Sequence, residues 1–213
     1  MKKHAKAAAR EETRRKLLDT GFTLIREKGY AATRVDDICA AAGVTKGGFF
    51  HHFRSKEEWG GAVAEHWGEV TSGLFQDAPY HQPSDALDRV LAYVDFRKAI
   101  LEGPVAEFTC VAGTLTQEIH LQSPEIRDAA AAAIFGHAAT LESDIAEAKA
   151  ARCPDADWTP ESLARFTQAA LQGAFILAKA QGGPETARDM VDHLRRYVEL
   201  LFDVPHGTGG LQP

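Results

Sequence analysis

Residues 33–58 read TRVDDICAAAGVTKGGFFHHFRSKEE, and the fold of the chain is decided there. Thr33 is placed to cap a helix whose Val35, Ile38, Cys39 and Ala42 recur at three-to-four-residue spacing. Gly43 stands where a left-handed residue would stop that helix, and Val44 follows as its apolar plug. Thr45 is placed to cap a second short helix, 46–53, with Phe49 and Phe53 turned inward and Lys46, His51 and His52 outward. Two short helices about a tight turn, the second cationic, predict a helix-turn-helix that presents one helix to a nucleic-acid groove.

The charge balance supports that reading once it is divided along the chain. The whole protein of 213 residues carries −6, which on its own argues against a polyanion partner. Residues 1–56, however, hold 13 Lys and Arg against 6 Asp and Glu, or +7, while 57–213 hold 11 against 24, or −13. A basic head on an acidic body predicts phosphate contact at one end only. No apolar run approaches the roughly 20 residues of a membrane span, and the basic start lacks the apolar segment of a signal peptide. Three well-separated cysteines, Cys39, Cys110 and Cys153, suit free thiols in a reducing compartment. A cytoplasmic protein with no membrane partner, no metal and no cofactor is therefore expected.

Helical periodicity runs through the rest, and the expectation is an all-α chain of nine helices. The first covers about 7–28 and stops at Gly29, with Tyr30 packing after the stop. Beyond the helix-turn-helix, Ser55-x-x-Glu58 predicts a capping box opening a helix to about 75. The adjacent Gly60 and Gly61 in it read as a pliable joint, each costing about 1 kcal/mol against alanine. Ser84 is expected to open a helix to about 102, and Gly103-Pro104 separates it from one spanning 105–121. Ser123-Pro124-Glu125 and Thr159-Pro160-Glu161 mark two further starts, for helices to about 152 and 181. Gly182-Gly183-Pro184 precedes the last, to about 203. The expected divisions are a helix-turn-helix DNA-binding head, 1–56, a helical body, 57–205, and a disordered tail, 206–213.

Together, Gly29-Tyr30, Thr33, Asp37-Ile38, Ala42-Gly43-Val44-Thr45, Gly47, Phe49-Phe50-His51-His52-Phe53 and Lys56-Glu57 resemble the TetR/AcrR family of one-component bacterial transcriptional regulators. The resemblance covers roughly the first 60 residues. It implies a homodimer, a repressor by preference, released from a palindromic double-stranded operator when a small molecule enters the body. Cys110-Val-Ala-Gly-Thr-Leu-Thr-Gln-Glu118 is similar to a sixth-helix motif of one branch, and some members of the family sense electrophiles or oxidants through cysteine. Cys110, read as lying mid-helix, is a candidate for that role.

The candidate DNA-contacting residues are Thr33, Arg34, Thr45, Lys46, Gly47, Gly48, Phe50, His51 and Lys56. Threonine hydroxyls at helix starts suit phosphate oxygens, and Lys46 and Arg34 can reach phosphates or guanine edges. Lys56 matches a family position that grips the backbone. Gly48 stands where many relatives have Ser or Thr, and Phe50 where many have Tyr; the missing hydroxyl forfeits about 1 kcal/mol of hydrogen bonding. His51 and His52 predict affinity that rises with acidity. The relatives' cavity helices carry Trp67, Tyr93, Phe96, Phe108, Cys110, Thr114, Gln117, Phe135, His137 and Phe175, which are the candidate ligand pocket.

The last two helices are too apolar for one neighbour to cover. Phe166, Ala170, Gly173, Ala174 and Leu177 on one, and Met190, Leu194, Tyr197, Val198 and Leu201 on the other, predict an intermolecular four-helix dimer face. Catalysis is not expected: no nucleophile elbow, phosphate loop or facing Glu-x-x-His pair occurs. The rival reading is a helical protein-interaction module without DNA binding, which would lack a steep salt dependence on duplex.

Overall fold

The computed structural model describes residues 2–202, and among these the chain is all-α. The expected tail, 206–213, lies outside the described residues. The helices are α1 (Lys2–Lys28), α2 (Val35–Ala42), α3 (Lys46–His52), α4 (Lys56–Gln76), α5 (Ala86–Ala99), α6 (Val105–Phe108), α7 (Val111–Ile119), α8 (Pro124–Ala139), α9 (Glu142–Arg152), α10 (Pro160–Gln181) and α11 (Glu185–Leu201). A short 3-10 turn, Pro79–His81, interrupts the loop after α4. No described helix is long and apolar enough to cross a membrane.

Eleven helices stand among the described residues where nine were expected, because two predicted helices are each broken once. The stretch 105–121 is broken at Thr109 and Cys110. Thr109 Oγ1 donates back to Val105 O at 2.7 Å, and Cys110 is extended (φ −90°, ψ 123°), with Sγ accepting from Gly113 N at 3.3 Å. Cys110 is thus a helix cap, not a mid-helix residue. The stretch 124–152 is broken after Ala139, where Leu141 N bonds the carbonyl three residues back, at Ala138, and the Leu141 side chain turns inward. Neither break carries a glycine or proline of its own. The cap of α5 is Asp85 rather than Ser84: Asp85 Oδ1 accepts from Leu87 N at 2.8 Å and from Asp88 N at 3.2 Å.

Two compact units emerge among the described residues. One comprises 2–76 and 105–137, the other 77–104 and 138–202. The first unit is built on α1. Leu17, Leu18 and Ile25 from α1, Ile38 from α2, Phe49 and Phe53 at α3, Trp59 and Val63 from α4, Val111 and Leu115 from α7, and Ile126 from α8 share one core. Trp59 is wholly buried and its indole N–H donates to Leu17 O at 3.0 Å. In the second unit α5 packs on α9 and α11, and α10 on α9 and α11. Arg89 ties α5 to α9 by Nε to Asp144 at 2.9 Å and Nη2 to Glu147 at 2.8 Å.

Gly60 and Gly61 are not a joint. Both are buried, and a Cβ on Gly60 would lie 2.7 Å from Ile126 Cδ1 and 2.7 Å from Tyr30 Cε2. The missing side chain is what lets α8 and the Tyr30 ring close on α4. Gly60→Ala therefore destabilises the fold by about 1–3 kcal/mol through overpacking. A flexible joint would instead gain about 1 kcal/mol from the better helix former. The shift of the denaturant midpoint decides the sign.

Candidate nucleic-acid interface

The helix-turn-helix is assembled by short-range bonds at each corner. Gly43 takes φ 66° and Val44 N bonds Cys39 O at 2.9 Å, closing the turn after α2. Thr45 caps α3 as expected: its Oγ1 accepts from Gly48 N at 3.1 Å, leaving the hydroxyl proton to donate outward. Phe49 and Phe53 are buried, so the opposite face of α3 turns to solvent with Lys46, Gly47, Phe50 and His51 exposed. Phe50 retains 49% exposure, a large apolar ring kept out of the core. Gly47 has room for a Cβ, whereas one on Gly48 would meet Val44 Cγ1 at 2.7 Å.

Thr33 does not belong to this surface. It is fully buried, and its Oγ1 donates to Gly29 O at 2.6 Å, folding the turn between α1 and α2. The cap of α2 is the next residue, Arg34, whose backbone N–H is accepted by Asp37 Oδ2 at 2.8 Å. Lys28 Nζ pairs with the same carboxylate at 2.8 Å. These bonds, the Lys28 contact first, hold Asp37 well below the usual carboxylate range. The Arg34 side chain itself stays solvent-exposed.

The cations are not equivalent. Lys46 Nζ lies 2.9 Å from Asp36 Oδ1, and both side chains are exposed. An ion pair so open to water is worth about 0–1 kcal/mol, so phosphate can displace it. Lys56 is half-buried, its ammonium 4.2 Å from the Tyr30 ring centroid and 3.3 Å from Ala31 O. Burial lowers its pKa, opposed by Glu118 and Asp37. Burial likewise pushes the Tyr30 phenol up to about 12. Lys56 therefore spends its charge largely inside the protein, bracing the turn before α2. His52 sits against His51 at 5.4 Å between ring centroids. Its pKa is lowered by desolvation first, then by His51, Arg10 and Arg14.

Two residues that sequence reasoning did not single out tie α6 and α7 to this head. Glu118 Oε2 accepts from Ala31 N at 2.8 Å, beside the carbonyl that Lys56 contacts. Arg26 of α1 donates to Phe22 O of its own helix and to Glu107 O of α6, each at 2.8 Å, and lies 5.2 Å from the Trp67 ring centroid. Burial lowers the Arg26 pKa, and the nearby Cys110 works against that shift. No sequence spacing relates residue 118 to residue 31.

The expected pocket residues divide between the units. Trp67, Phe108, Cys110, Thr114, Gln117, Phe135 and His137 lie in the first, Tyr93, Phe96 and Phe175 in the second. Trp67 meets Phe22 edge-on, Thr114 Oγ1 bonds Cys110 O at 3.0 Å, and His137 packs on Phe75. Gln117 is exposed and its Nε2 donates to Gly113 O of its own helix; Phe135 is 55% exposed, so neither is an interior residue of its unit. Phe108 is half-buried at the end of α6. Tyr93 and Phe175 are buried around Arg97, a guanidinium only 8% exposed that the sequence reading passed over. Tyr93 OH accepts from Gln168 Nε2 at 3.1 Å, and the Tyr80 ring meets Tyr93 edge-on and Phe96 at a tilt.

Most of the expected dimer face coincides with one feature, an open apolar groove of about 640 Å³ along α10 and α11. Phe166, Ala170, Gly173, Ala174, Leu177, Met190, Leu194 and Tyr197 line it, with Ala169, Ile176 and His193 in addition. Val198 is fully buried and belongs to the core of the unit, not to the groove. Leu201 is half-buried and also lies outside it.

Residues 17–58 match the model of bacterial regulatory proteins of the tetR family, and residues 86–194 match the tetracyclin repressor-like C-terminal domain. The chain is 29% identical over 177 residues to the transcriptional repressor DhaR of Mycobacterium sp. (strain GP1), covering 83% of this chain and 87% of that one. It is 29% identical over 173 residues to the transcriptional regulator AcuR of Cereibacter sphaeroides, covering 79% and 77%. The reduced form of E. coli NemR superposes with a TM-score of 0.72 at 26% identity, over 91% of this chain and 100% of NemR. A basic, exposed α3 on a packed helix-turn-helix, joined to a matching C-terminal domain, makes this chain a DNA-binding transcriptional regulator of the TetR family.

Proposed function

We propose that this protein is a homodimeric repressor that grips a palindromic operator through α3 and is released by a small molecule. The observation that carries the reading is the division of α3 into a buried aromatic face and an open one bearing Thr45, Lys46, Gly47, Phe50 and His51. Glycines at 47 and 48 permit close approach of the backbone to DNA, while Lys46 and the Thr45 hydroxyl supply phosphate donors. The groove along α10 and α11 is the surface a second copy would cover. Its exposed Phe166, Ile176, Leu177 and Tyr197 are large apolar groups that water does not favour. Two heads related by a dimer axis read two half-sites of a palindrome.

Cys110 is the proposed point of release by an electrophile or oxidant, alongside reversible ligands. Similarity to NemR, a relative described in a reduced form, supports this. So does the local geometry: the thiol caps α7 through Gly113 N, and a substituent on Sγ would stand where that N–H now points. Displacing α7 would pull on Glu118, whose carboxylate holds Ala31 immediately before the helix-turn-helix.

Gel-shift titration on the DNA flanking the gene, at two salt concentrations, tests the DNA reading. Lys46→Ala should weaken binding and flatten the salt dependence by about one unit of log–log slope. Asp36→Asn should do the reverse, because it frees Lys46 and removes a like charge from the phosphates; unchanged affinity in both variants would remove α3 from the interface. Affinity should also rise with acidity below the ordinary histidine range near pH 6.5, since DNA phosphates favour the protonated His52 that the free protein disfavours. His52→Gln should lose that share of the rise.

For the release step, thiol alkylation should lower operator affinity in the native chain and leave Cys110→Ser unaffected. Glu118→Gln should bind operator more weakly before any alkylation. Wild-type affinity in Glu118→Gln would exclude α7 as the link.

A further inference from the structure

We infer that the amino-terminal part of α1 is a second DNA-contacting element, a basic rail of Lys6, Arg10 and Arg14 that grips backbone phosphates flanking the bases faced by α3. The inference rests on the DNA-binding reading above and adds a contact outside the helix-turn-helix.

Three observations converge on it. The helix α1 begins at Lys2, and ahead of Leu17, its first buried residue, the described side chains at 4 and 6–12 are all exposed. Lys6 and Arg10 are exposed and Arg14 is half-buried. The spacing 6, 10, 14 places the three cations above one another on one helix face, over about 12 Å of axis. Like charges at four-residue spacing repel, so this row weakens the helix that carries it unless an anion lies along it.

The row is also continuous with the recognition helix. Arg14 Cζ stands 5.3 Å from the centroid of Phe53, the residue that ends α3. Arg10 and Arg14 both act electrostatically on His52, in the last turn of α3. Glu11 also acts on His52, with the opposite sign, and Glu12 is drawn away to Lys16 at 2.8 Å. The rail thus leads away from the C-terminal end of α3 along one helix. A duplex seated on α3 offers it the polyanion of matching sign, and phosphate contacts there would be indifferent to base sequence.

The test uses the full-length chain and the operator duplex footprinted in the gel-shift experiment, prepared with and without about 6 bp of flanking DNA. The variant is Lys6→Gln/Arg10→Gln, which keeps good helix formers and spares the Arg14–Phe53 contact. Wild type should bind the flanked duplex about tenfold or more tighter than the trimmed one. Its log affinity against log salt should be steeper than the variant's by about 1.8, two phosphate contacts at about 0.9 each. The variant should bind both duplexes alike and melt no lower than wild type, since two repelling charges are gone. Equal flank dependence in the two proteins, or none in wild type, overturns the rail alone. Failure of wild type to bind either duplex with a salt-dependent affinity overturns the DNA reading and the rail with it.

Discussion

The indole of Trp59 holds the head together. It is wholly buried and donates to Leu17 O at 3.0 Å, which requires α4 to lie almost against the backbone of α1. Gly21 makes that possible: a Cβ there would stand 2.8 Å from Trp59 Cζ2 and 2.7 Å from Val63 Cγ2. One large donor and one absent side chain therefore fix α4 on α1. The short α2 and α3 could not persist alone, since isolated helices below about 12–15 residues are marginal in water. They persist because Ile38, Phe49 and Phe53 enter the core that this crossing creates. Losing the indole would also leave a cavity, at about 3–5 kcal/mol for a Trp→Ala change.

Local chemistry was legible and long-range chemistry was not. Gly43, Thr45 and Thr159 were read correctly as stops and caps because each acts on residues within four positions of itself. The inward Phe49 and Phe53 followed from the helical period alone. Thr33 was misread because a cap and a turn-closing hydroxyl look alike in sequence. Only the Gly29 carbonyl at 2.6 Å distinguishes them. The breaks at Cys110 and Leu141 had no glycine or proline to announce them; a thiol accepting an N–H and a leucine drawn inward made them.

The same limit governs the site. The outward residues of α3 were legible as a group, since one helix face is a local property. Glu118 on Ala31, Lys56 over Tyr30 and Arg97 among Tyr93 and Phe175 join residues 26 to 87 positions apart or lie buried against expectation for their type. Gly60 shows the converse error, in which a residue weak for its helix was taken for flexibility although the cause was a neighbour 66 positions on, Ile126.

Charge pairing around α3 suggests a grip built to be reversible. Lys46 is held by Asp36, Lys28 by Asp37, Arg54 by Glu58 and Lys56 by the turn before α2. Each such cation that turns to phosphate must first leave a partner, so its net gain is smaller than the bare attraction. A head of +7 consequently exerts less than its formal charge, and the −13 of the remaining chain opposes any broader embrace of the duplex. Lys6 and Arg10 are cations with exposed side chains on a stretch of α1 whose described residues from 6 to 12 are all exposed. Affinity contributed there is independent of base sequence and of the α7–Glu118 link. Release can then act on α3 alone while the protein is still held near its site, which separates how tightly DNA is bound from how readily the operator is vacated.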